Sequence, residues 1–199
     1  MKKLLIATRN QGKLNELETL LAELPYKLVH LNTLGVIEVV EETGSTFYEN
    51  ALIKAKTYSE LSKMDSLADD SGLEVDALNG RPGVWSARYG SPCMSDEDRV
   101  QLLLRELWGV PWEQRTARFK CVIVLATTLG CIIAVESSIE GFIQYMPSGF
   151  NGFGYDPVFY LPENGCTSAE LSTRDKNNIS HRGKAAQKLI EVLKMNGTY

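Results

Sequence analysis

The stretch LADDSGLE, residues 67 to 74, is the best guide to the fold of this sequence. A short apolar run leads directly into two adjacent carboxylates, Asp69 and Asp70, and then into Ser71 and Gly72. The apolar run predicts a buried strand, and the Ser-Gly pair predicts a turn at its end. Because neighbouring buried carboxylates repel each other and are costly to desolvate, we expect a cation or strong donors beside them.

Strand-like and helix-like segments follow one another along the rest of the chain. The apolar run KLLIAT (3–8) precedes leucines at helical spacing up to Pro25. Capping pairs predict two further helices, one starting at Thr46 with Glu49 and one at Ser95 with Asp98. The first of these is expected to bury Phe47, Ala51, Ala55, Tyr58 and Leu61.

The second half of the chain contains two β-branched runs and a closing helix. ARFKCVIVLAT and CIIAVESSIEGFI are separated by TLG, which predicts an antiparallel pair with a tight connection. The last helix follows Ser180 and is predicted to stop at Asn196 and Gly197. The sequence therefore predicts a mixed α/β protein whose sheet is only partly parallel.

Composition limits the class of protein. The 199 residues fit one domain (1–199) without a separable linker, and 44% hydrophobic with 23% charged residues exclude a disordered chain. A net charge of -4 argues against nucleic-acid binding. No apolar run is long enough to cross a bilayer, and MKKLLIATRNQGK does not resemble a signal peptide, so we expect a cytoplasmic protein with reduced cysteines.

The segment TRNQGK, residues 8 to 13, lies where a strand turns into a helix. Unpaired backbone N–H groups and the positive end of a helix dipole meet at such a turn, and Lys13 adds a full charge. Gly12 allows close approach of a ligand to the backbone. This pattern predicts a phosphate-binding loop, although an ordinary capped helix with a surface lysine has the same residues.

The acidic residues suggest a divalent cation. Glu41 and Glu42 provide a second acidic pair besides Asp69 and Asp70, and Mg²⁺ prefers carboxylates, waters and substrate phosphates as ligands. One acid would hold the metal while another takes a proton from an attacking water. The alternative is that these acids face solvent or cap the backbone in turns.

Two further segments are candidates for binding the base of a nucleotide. In GFGYDP (152–157), the rings of Phe153 and Tyr155 suit stacking on a purine, and Asp156 can accept a hydrogen bond from a base edge. The alternative is that these rings pack into the core. In KNNISHRG (176–183), Lys176, His181 and Arg182 gather cationic donors before a helix. Together with the acids and the phosphate loop, these segments specify a nucleoside phosphate.

Five motifs in order along the chain resemble those of the non-canonical purine nucleoside triphosphate pyrophosphatases, the inosine/xanthosine triphosphate pyrophosphatase family. They are ATRNQGKLNE, EETGSTFYENALIKA, ADDSGLEVDALNGRPGVWSARY, GFGYDPVF and ISHRGKA. The resemblance implies an elongated, two-lobed mixed sheet flanked by helices, with the active site in the cleft between the lobes. It also implies a homodimer and Mg²⁺-dependent hydrolysis of ITP, dITP and XTP to monophosphate and pyrophosphate, which cleanses the nucleotide pool.

The same resemblance assigns roles to residues by position. Asp70 matches the proton acceptor and metal-linked carboxylate, and Glu41 matches the second magnesium ligand. Arg9 and Gln11 occupy variable positions of the phosphate loop, so the resemblance does not support a role for their side chains, although it leaves room for contacts from their backbone. The implied substrate contacts are Thr8, Arg9, Asn10, Gln11, Gly12, Lys13, Ser71, Phe153, Gly154, Tyr155, Asp156, Lys176, His181 and Arg182.

Three other functions fit parts of the sequence. A regulatory nucleotide-binding protein would keep the pocket without turnover, and it would be marked by loss of an acid, whereas Glu41, Asp69 and Asp70 are all present. A phosphatase of another bond or substrate, including the septum-formation-type nucleotide pyrophosphatases, would be recognised by its products. A single-strand binding module is disfavoured by the negative charge.

Overall fold

The computed structural model describes residues 2–195 and Gly197. Within them the strands are β1 (Lys2–Ile6), β2 (Tyr26–His30), β3 (Asp65–Val75), β4 (Thr116–Ala126), β5 (Ile132–Ile143), β6 (Phe159–Leu161) and β7 (Cys166–Thr167). The α-helices are α1 (Gln11–Leu20), α2 (Phe47–Ser62), α3 (Asp96–Glu106), α4 (Thr173–Ile179) and α5 (His181–Met195).

The seven strands of this part of the chain form one sheet in the order β2-β1-β3-β4-β5-β6-β7. β1 pairs in parallel with both β2 and β3, whereas β6 pairs antiparallel with β5 and β7. A tight turn closed by hydrogen bonds between Thr127 and Cys131 joins β4 to β5. The prediction of a mixed α/β protein with a partly parallel sheet is confirmed.

The predicted turn at Ser71 and Gly72 is wrong, because β3 continues without interruption to Val75. Its neighbours in the sheet are β1, which pairs with residues 65–67, and β4, which lies on the other side of the strand. The serine and glycine favour a turn locally, but pairing within a sheet outweighs that preference. Asp69 and Asp70 therefore lie inside a buried strand, not at its end.

The chain divides into two compact units. The first contains the residues up to Asp70, Cys121–Ser137 and the segment from Arg182 onward; the second contains Ser71–Lys120 and Ser138–His181. In the first unit, α1 and α5 pack leucines on apolar residues of β1, β3 and β4. In the second, Leu103 of α3 shares a core with Phe159 of β6. The single domain and the cleft between lobes stay predictions.

The predicted helix starts agree with the structure. Thr46 caps α2 with a capping box through Glu49, and Ser95 caps α3 with one through Asp98. Leu61, however, is 47% exposed at the end of α2, so its assignment to the buried stripe is wrong. Gly197 has a positive φ just beyond α5, whereas the other predicted stop residue, Asn196, lies outside the described residues.

Two expectations about the environment can be compared with the structure. Cys93, Cys121, Cys131 and Cys166 are all free cysteines. Among the described residues, no helix combines the length and the apolar composition that a membrane span requires.

Candidate active site

The TRNQGK segment connects β1 to α1 and begins the first part of the site. Asn10 caps α1, and its side chain accepts from the backbone N–H of Lys13 at 3.0 Å. The Thr8 hydroxyl accepts from the N–H of Asn10 at 3.2 Å, which fixes the turn before the helix. No acidic residue lies in the first turn of α1, so the positive end of its dipole is not compensated there.

The side chains of Arg9 and Gln11 are used for other contacts. Arg9 donates from Nη2 to the carbonyl oxygens of Val36 and Glu38, each at 2.9 Å. Gln11 donates to Asn15 on the surface of α1 at 2.7 Å. Both side chains are therefore engaged with other groups, and the contribution of residues 9 and 11 to phosphate binding stays a prediction.

Asp69 is a buried carboxylate held by two cations. Its Oδ2 lies 3.1 Å from Lys13 Nζ and 3.2 Å from Arg182 Nη2. Burial alone would raise the pKa of Asp69, but the charges of Lys13 and Arg182 overcome it and hold the pKa below its ordinary value. Asp69 is therefore a permanent anion that orients two positively charged side chains.

Arg182 is clamped between two acids. Besides Asp69, its guanidinium donates from Nη1 to the Glu16 carboxylate of α1, and both side chains are buried. Burial disfavours the charge of Arg182, but Asp69 and Glu16 more than compensate and raise its pKa. Glu16 was not identified from the sequence, although it stands three positions after Lys13 and so lies on the same side of the helix.

Asp70 has a different environment from its neighbour. Lys54 Nζ lies 3.1 Å from its Oδ1, and the Asn50 amide approaches its Oδ2 at 3.4 Å. Burial is the largest effect on Asp70, and it raises the pKa of the carboxyl although Lys54 and Lys13 oppose it. The two adjacent aspartates thus differ in the direction of their pKa shifts, which is typical of a site that assigns them different tasks.

Of the two glutamates before α2, the structure brings Glu42 to the site. Lys54 Nζ lies 2.7 Å from Glu42 Oε1, so one ammonium group joins Glu42 and Asp70. Glu41, the predicted metal ligand, is exposed, whereas Glu42 is half-buried. Of these two adjacent residues, Glu42 is therefore the one whose contact with Lys54 brings it to the cluster.

Sequence reasoning missed Lys54 and Asn50, although both stand in the quoted ENALIKA motif. They are four residues apart on α2, and with Phe47, Ala51 and Ala55 they line a face that is otherwise apolar. A lysine and an asparagine at that spacing on a buried face are a signal for a polar site.

The segment between Val36 and Glu42 has no regular structure, and one of its contacts to the rest of its unit is a carbonyl group that accepts two hydrogen bonds. Glu38 O accepts from Arg9 at 2.9 Å and from the Tyr58 hydroxyl at 3.0 Å. These bonds link the acidic segment to the phosphate loop and to α2.

The candidate base-binding residues of the second unit form their own cluster. Asp156 Oδ2 accepts from Lys176 Nζ at 2.5 Å and from the Phe153 N–H at 2.8 Å. Lys176 also lies 4.9 Å above the Phe153 ring. His181 stacks on Phe119, with ring centroids 4.8 Å apart. A small cavity is lined by Phe119, Asp156, Lys176 and His181 among others.

Two side chains of GFGYDP differ from the expectation. Tyr155 is buried in the core of the second unit and donates from its hydroxyl to Ser86 O at 2.9 Å, so its ring does not serve as an exposed stacking face. Asp156 anchors Lys176 and the loop backbone, so it does not present an uncommitted acceptor to a base edge. Only the Phe153 ring keeps the predicted platform role.

Beside Lys176, the buried side chain of Asn177 has no hydrogen-bond partner for either amide atom in the part of the chain that the structure describes. A buried amide of this kind commonly meets a ligand or an ordered water. The side chain of Ser71 follows Asp70 on β3, and its role in substrate contact stays a prediction, as do the other implied contacts.

These features define a class of protein: a mixed α/β fold whose paired aspartates, lysines and helix N-terminus suit a nucleoside phosphate. The chain belongs to the Ham1 family, whose model matches residues 4–192. The family resemblance inferred from the motifs is confirmed.

Individual relatives agree with this assignment. A protein of Geobacillus kaustophilus named dITP/XTP pyrophosphatase is 51% identical over 191 residues, covering 96% of this chain and 94% of its own. One of the same name from Halalkalibacterium halodurans is 47% identical over 193 residues, covering 97% and 100%. The solved structure of a HAM1 protein from Coxiella burnetii has a TM-score of 0.89 at 42% identity, covering 98% of this chain and 100% of its own.

Proposed function

We propose that this protein hydrolyses ITP, dITP and XTP to the monophosphate and pyrophosphate with Mg²⁺, and so removes deaminated purines from the nucleotide pool. The enzyme class that the motifs predict, a nucleoside triphosphate pyrophosphatase, is supported by full-length relatives named dITP/XTP pyrophosphatase. The observation that carries the proposal is the pair of adjacent buried aspartates on β3, of which Asp69 contacts Lys13 and Arg182 and Asp70 contacts Lys54. In this proposal Asp69 holds the cations in place and Asp70 exchanges a proton.

The phosphate groups would bind at the start of α1. The backbone N–H groups that follow Thr8 and the dipole of α1 attract the anion, and Lys13 supplies a side-chain charge. Asp69 keeps Lys13 in place, and the Lys13 side chain is only 14% exposed. A preorganised ammonium group stabilises charge that builds on the departing pyrophosphate without having to reorient.

The residues present fit a magnesium ion. Mg²⁺ is usually held by one or two carboxylates together with waters and substrate phosphates. Asp70 and Glu42 both contact one cation, the Lys54 ammonium, and this shared contact supports the proposal that the pair could hold Mg²⁺. When bound, the ion would neutralise phosphate charge and polarise the α-phosphoryl group. We assign its protein ligands to Asp70 and Glu42, in place of the predicted Glu41.

Asp70 would act as the proton acceptor for the attacking water. Burial raises the pKa of Asp70 and so makes it a stronger base than an ordinary aspartate, while the charge of Lys54 opposes that rise and favours the ionised form. Lys54 in turn keeps its charge, because Asp70, Asp69 and Glu42 outweigh the effect of its burial on its pKa. In this proposal the water attacks the α-phosphorus, and its proton passes to an Asp70 carboxylate oxygen.

Base selection would rest on fixed donors. Inosine and xanthosine carry a keto oxygen where adenosine carries an amine, so a fixed donor bonds to the first two and is left unpaired by the third. Lys176 and Arg182 are both buried and both held by carboxylates, as such donors need to be. The phenyl ring of Phe153 would stack on the purine.

The setting of the enzyme is also part of the proposal. Free cysteines that include the exposed Cys93 and Cys131 favour a reducing compartment such as the cytoplasm. The partner is the nucleotide itself, and a homodimer follows from the family resemblance and would be tested by sedimentation.

One assay tests the central claim. Purified protein with ITP and Mg²⁺ is expected to release pyrophosphate and IMP in equal amounts, with ATP and GTP as comparison substrates. Release of orthophosphate would point to cleavage of the terminal bond and to another class of phosphatase. Tight ITP binding without any product would point to a regulatory protein.

A further inference from the structure

The backbone of the GFGYDP loop directs two consecutive N–H groups at two different carboxylates. Gly152 and Gly154 have φ of 77° and 61°, a region that glycine adopts without strain. The Phe153 N–H donates to Asp156 at 2.8 Å, and the Gly154 N–H donates to Asp96 Oδ2 at 2.9 Å. Successive N–H groups in such a turn attract anions, and here two side chains occupy them.

Asp96 is itself held in position. Its Oδ1 accepts from Arg99 Nη1 at 3.2 Å, and Arg99 is buried and also donates to the carbonyl oxygens of Ser91 and Pro92. Asp96 is the first residue of α3, but the capping box of that helix is made by Ser95 and Asp98. Asp96 is therefore not needed as the cap, and one of its oxygens is aimed at the loop.

The Phe153 ring lies at the centre of these contacts. Asp156 holds both the Phe153 N–H and the Lys176 ammonium, and that ammonium lies 4.9 Å above the ring. A Cβ on Gly152 would approach Asp156 Oδ2 to 2.1 Å, so the loop closes tightly on this carboxylate. The backbone N–H of the next residue, Gly154, is held by Asp96.

We propose that Asp96 is a positioning residue for base recognition: by holding the Gly154 N–H it fixes the backbone that presents the Phe153 ring to the purine. This inference rests on the proposed function, because it takes the ligand of this loop to be a purine nucleotide. Asp96 acts through the loop and does not touch the base. Its loss affects affinity for the purine and leaves the contacts of Asp70 and Lys13 unchanged.

The test compares three variants for IMP affinity, measured by calorimetry. Asp96→Ala removes the acceptor and is expected to weaken IMP binding by roughly ten- to a hundredfold, the effect of one lost hydrogen bond to a charged group. Asp96→Asn keeps an acceptor oxygen and is expected to stay within about twofold of wild type. Glu97→Ala, an exposed acid one residue along α3, is the matched control and should leave affinity unchanged.

A second readout separates positioning from a general loss of structure. Inhibition by inorganic tripolyphosphate, which lacks a base, is expected to be equal in wild type and Asp96→Ala. The inference is overturned if Asp96→Ala binds IMP as well as Glu97→Ala does, if both ligands weaken together, or if wild type does not bind IMP. Failure of wild type to release pyrophosphate from ITP would instead reject the proposed function, and IMP affinity would still judge the role of Asp96.

Discussion

Lys54 Nζ lies 3.1 Å from the Asp70 carboxylate, so the proposed base carries its own positive neighbour. This lysine satisfies a buried anion that would otherwise be costly to keep ionised. The same Nζ lies 2.7 Å from Glu42 Oε1, so Lys54 contacts acids from two separate segments of the chain.

Replacement of Asp70 tests its role as proton acceptor. Asp70→Asn should lower kcat for ITP by at least about 10², the lower range for general-base help, because the amide cannot take a proton. The fold should persist, since burial disfavours the charge that is removed. Rapid-quench measurement of turnover checks the loss in kcat, and a thermal melt checks that the fold persists. Asp76→Asn, at an exposed residue directly after β3, serves as the control for turnover; turnover of Asp70→Asn near that of wild type would remove Asp70 from the mechanism.

The pH profile tests the contact between Lys54 and Asp70. Lys54 lowers the pKa of Asp70, so Lys54→Met should raise that pKa further. Activity needs the ionised carboxylate, and the acidic limb of kcat/KM should therefore move to higher pH. Lys56→Met, an exposed lysine on the same helix, is the matched control and should leave the limb in place. If both variants keep the profile of wild type, Lys54 does not tune Asp70.

Magnesium dependence tests which glutamate is the second ligand. Turnover of ITP should stop on removal of Mg²⁺ with EDTA and return when the ion is restored. Glu42→Gln should raise the Mg²⁺ concentration needed for half-maximal rate by roughly tenfold or more, because a charged ligand becomes neutral. Glu41→Gln, which alters the exposed neighbour, should change it by less. If Glu41→Gln raises the required Mg²⁺ concentration more than Glu42→Gln does, Glu41 is the ligand, as predicted from the sequence.

Acid stability tests the cluster around Asp69. Because the folded-state pKa of Asp69 is depressed, its stabilising effect is complete well above the unfolded value near ~4 and is lost as the pH falls below it. Asp69→Asn should therefore destabilise the protein at pH 7 by about 3 to 5 kcal/mol, because Lys13 and Arg182 lose a buried partner. Urea unfolding at several pH values measures this. The difference between variant and wild type should shrink on acidification; a constant difference would contradict the assignment.

Local signals in the sequence were sufficient for the parts of the fold that depend on local chemistry. The capping boxes at Thr46 and Ser95 depend on residues three positions apart, and both are formed. The uninterrupted course of β3 could not be read in this way. It depends on β4, which is distant in sequence and whose pairing with β3 overrides the turn preference of Ser71 and Gly72.

The same division applies to the site. The motifs identified Asp70 and Lys13 because the type and spacing of their neighbours point to phosphate chemistry. The partner of Asp70 could not be found from spacing alone, because Glu41 and Glu42 are adjacent and only the tertiary structure decides which of them meets Lys54. Tyr155 is a similar case. Its ring is suited to stacking, but its hydroxyl donates a hydrogen bond to the buried Ser86 carbonyl, which holds the side chain in the core.

Arg9 donates two hydrogen bonds to Val36 and Glu38, and through them it can influence the position of the segment that leads to Glu42. They work as a tether between the loop and the irregular segment that leads to Glu42. Shortening Arg9 would loosen this irregular acidic segment while leaving the start of α1 intact. If Glu42 holds Mg²⁺ as proposed, a change at residue 9 would weaken that hold through the backbone, without any contact between the Arg9 side chain and the ion.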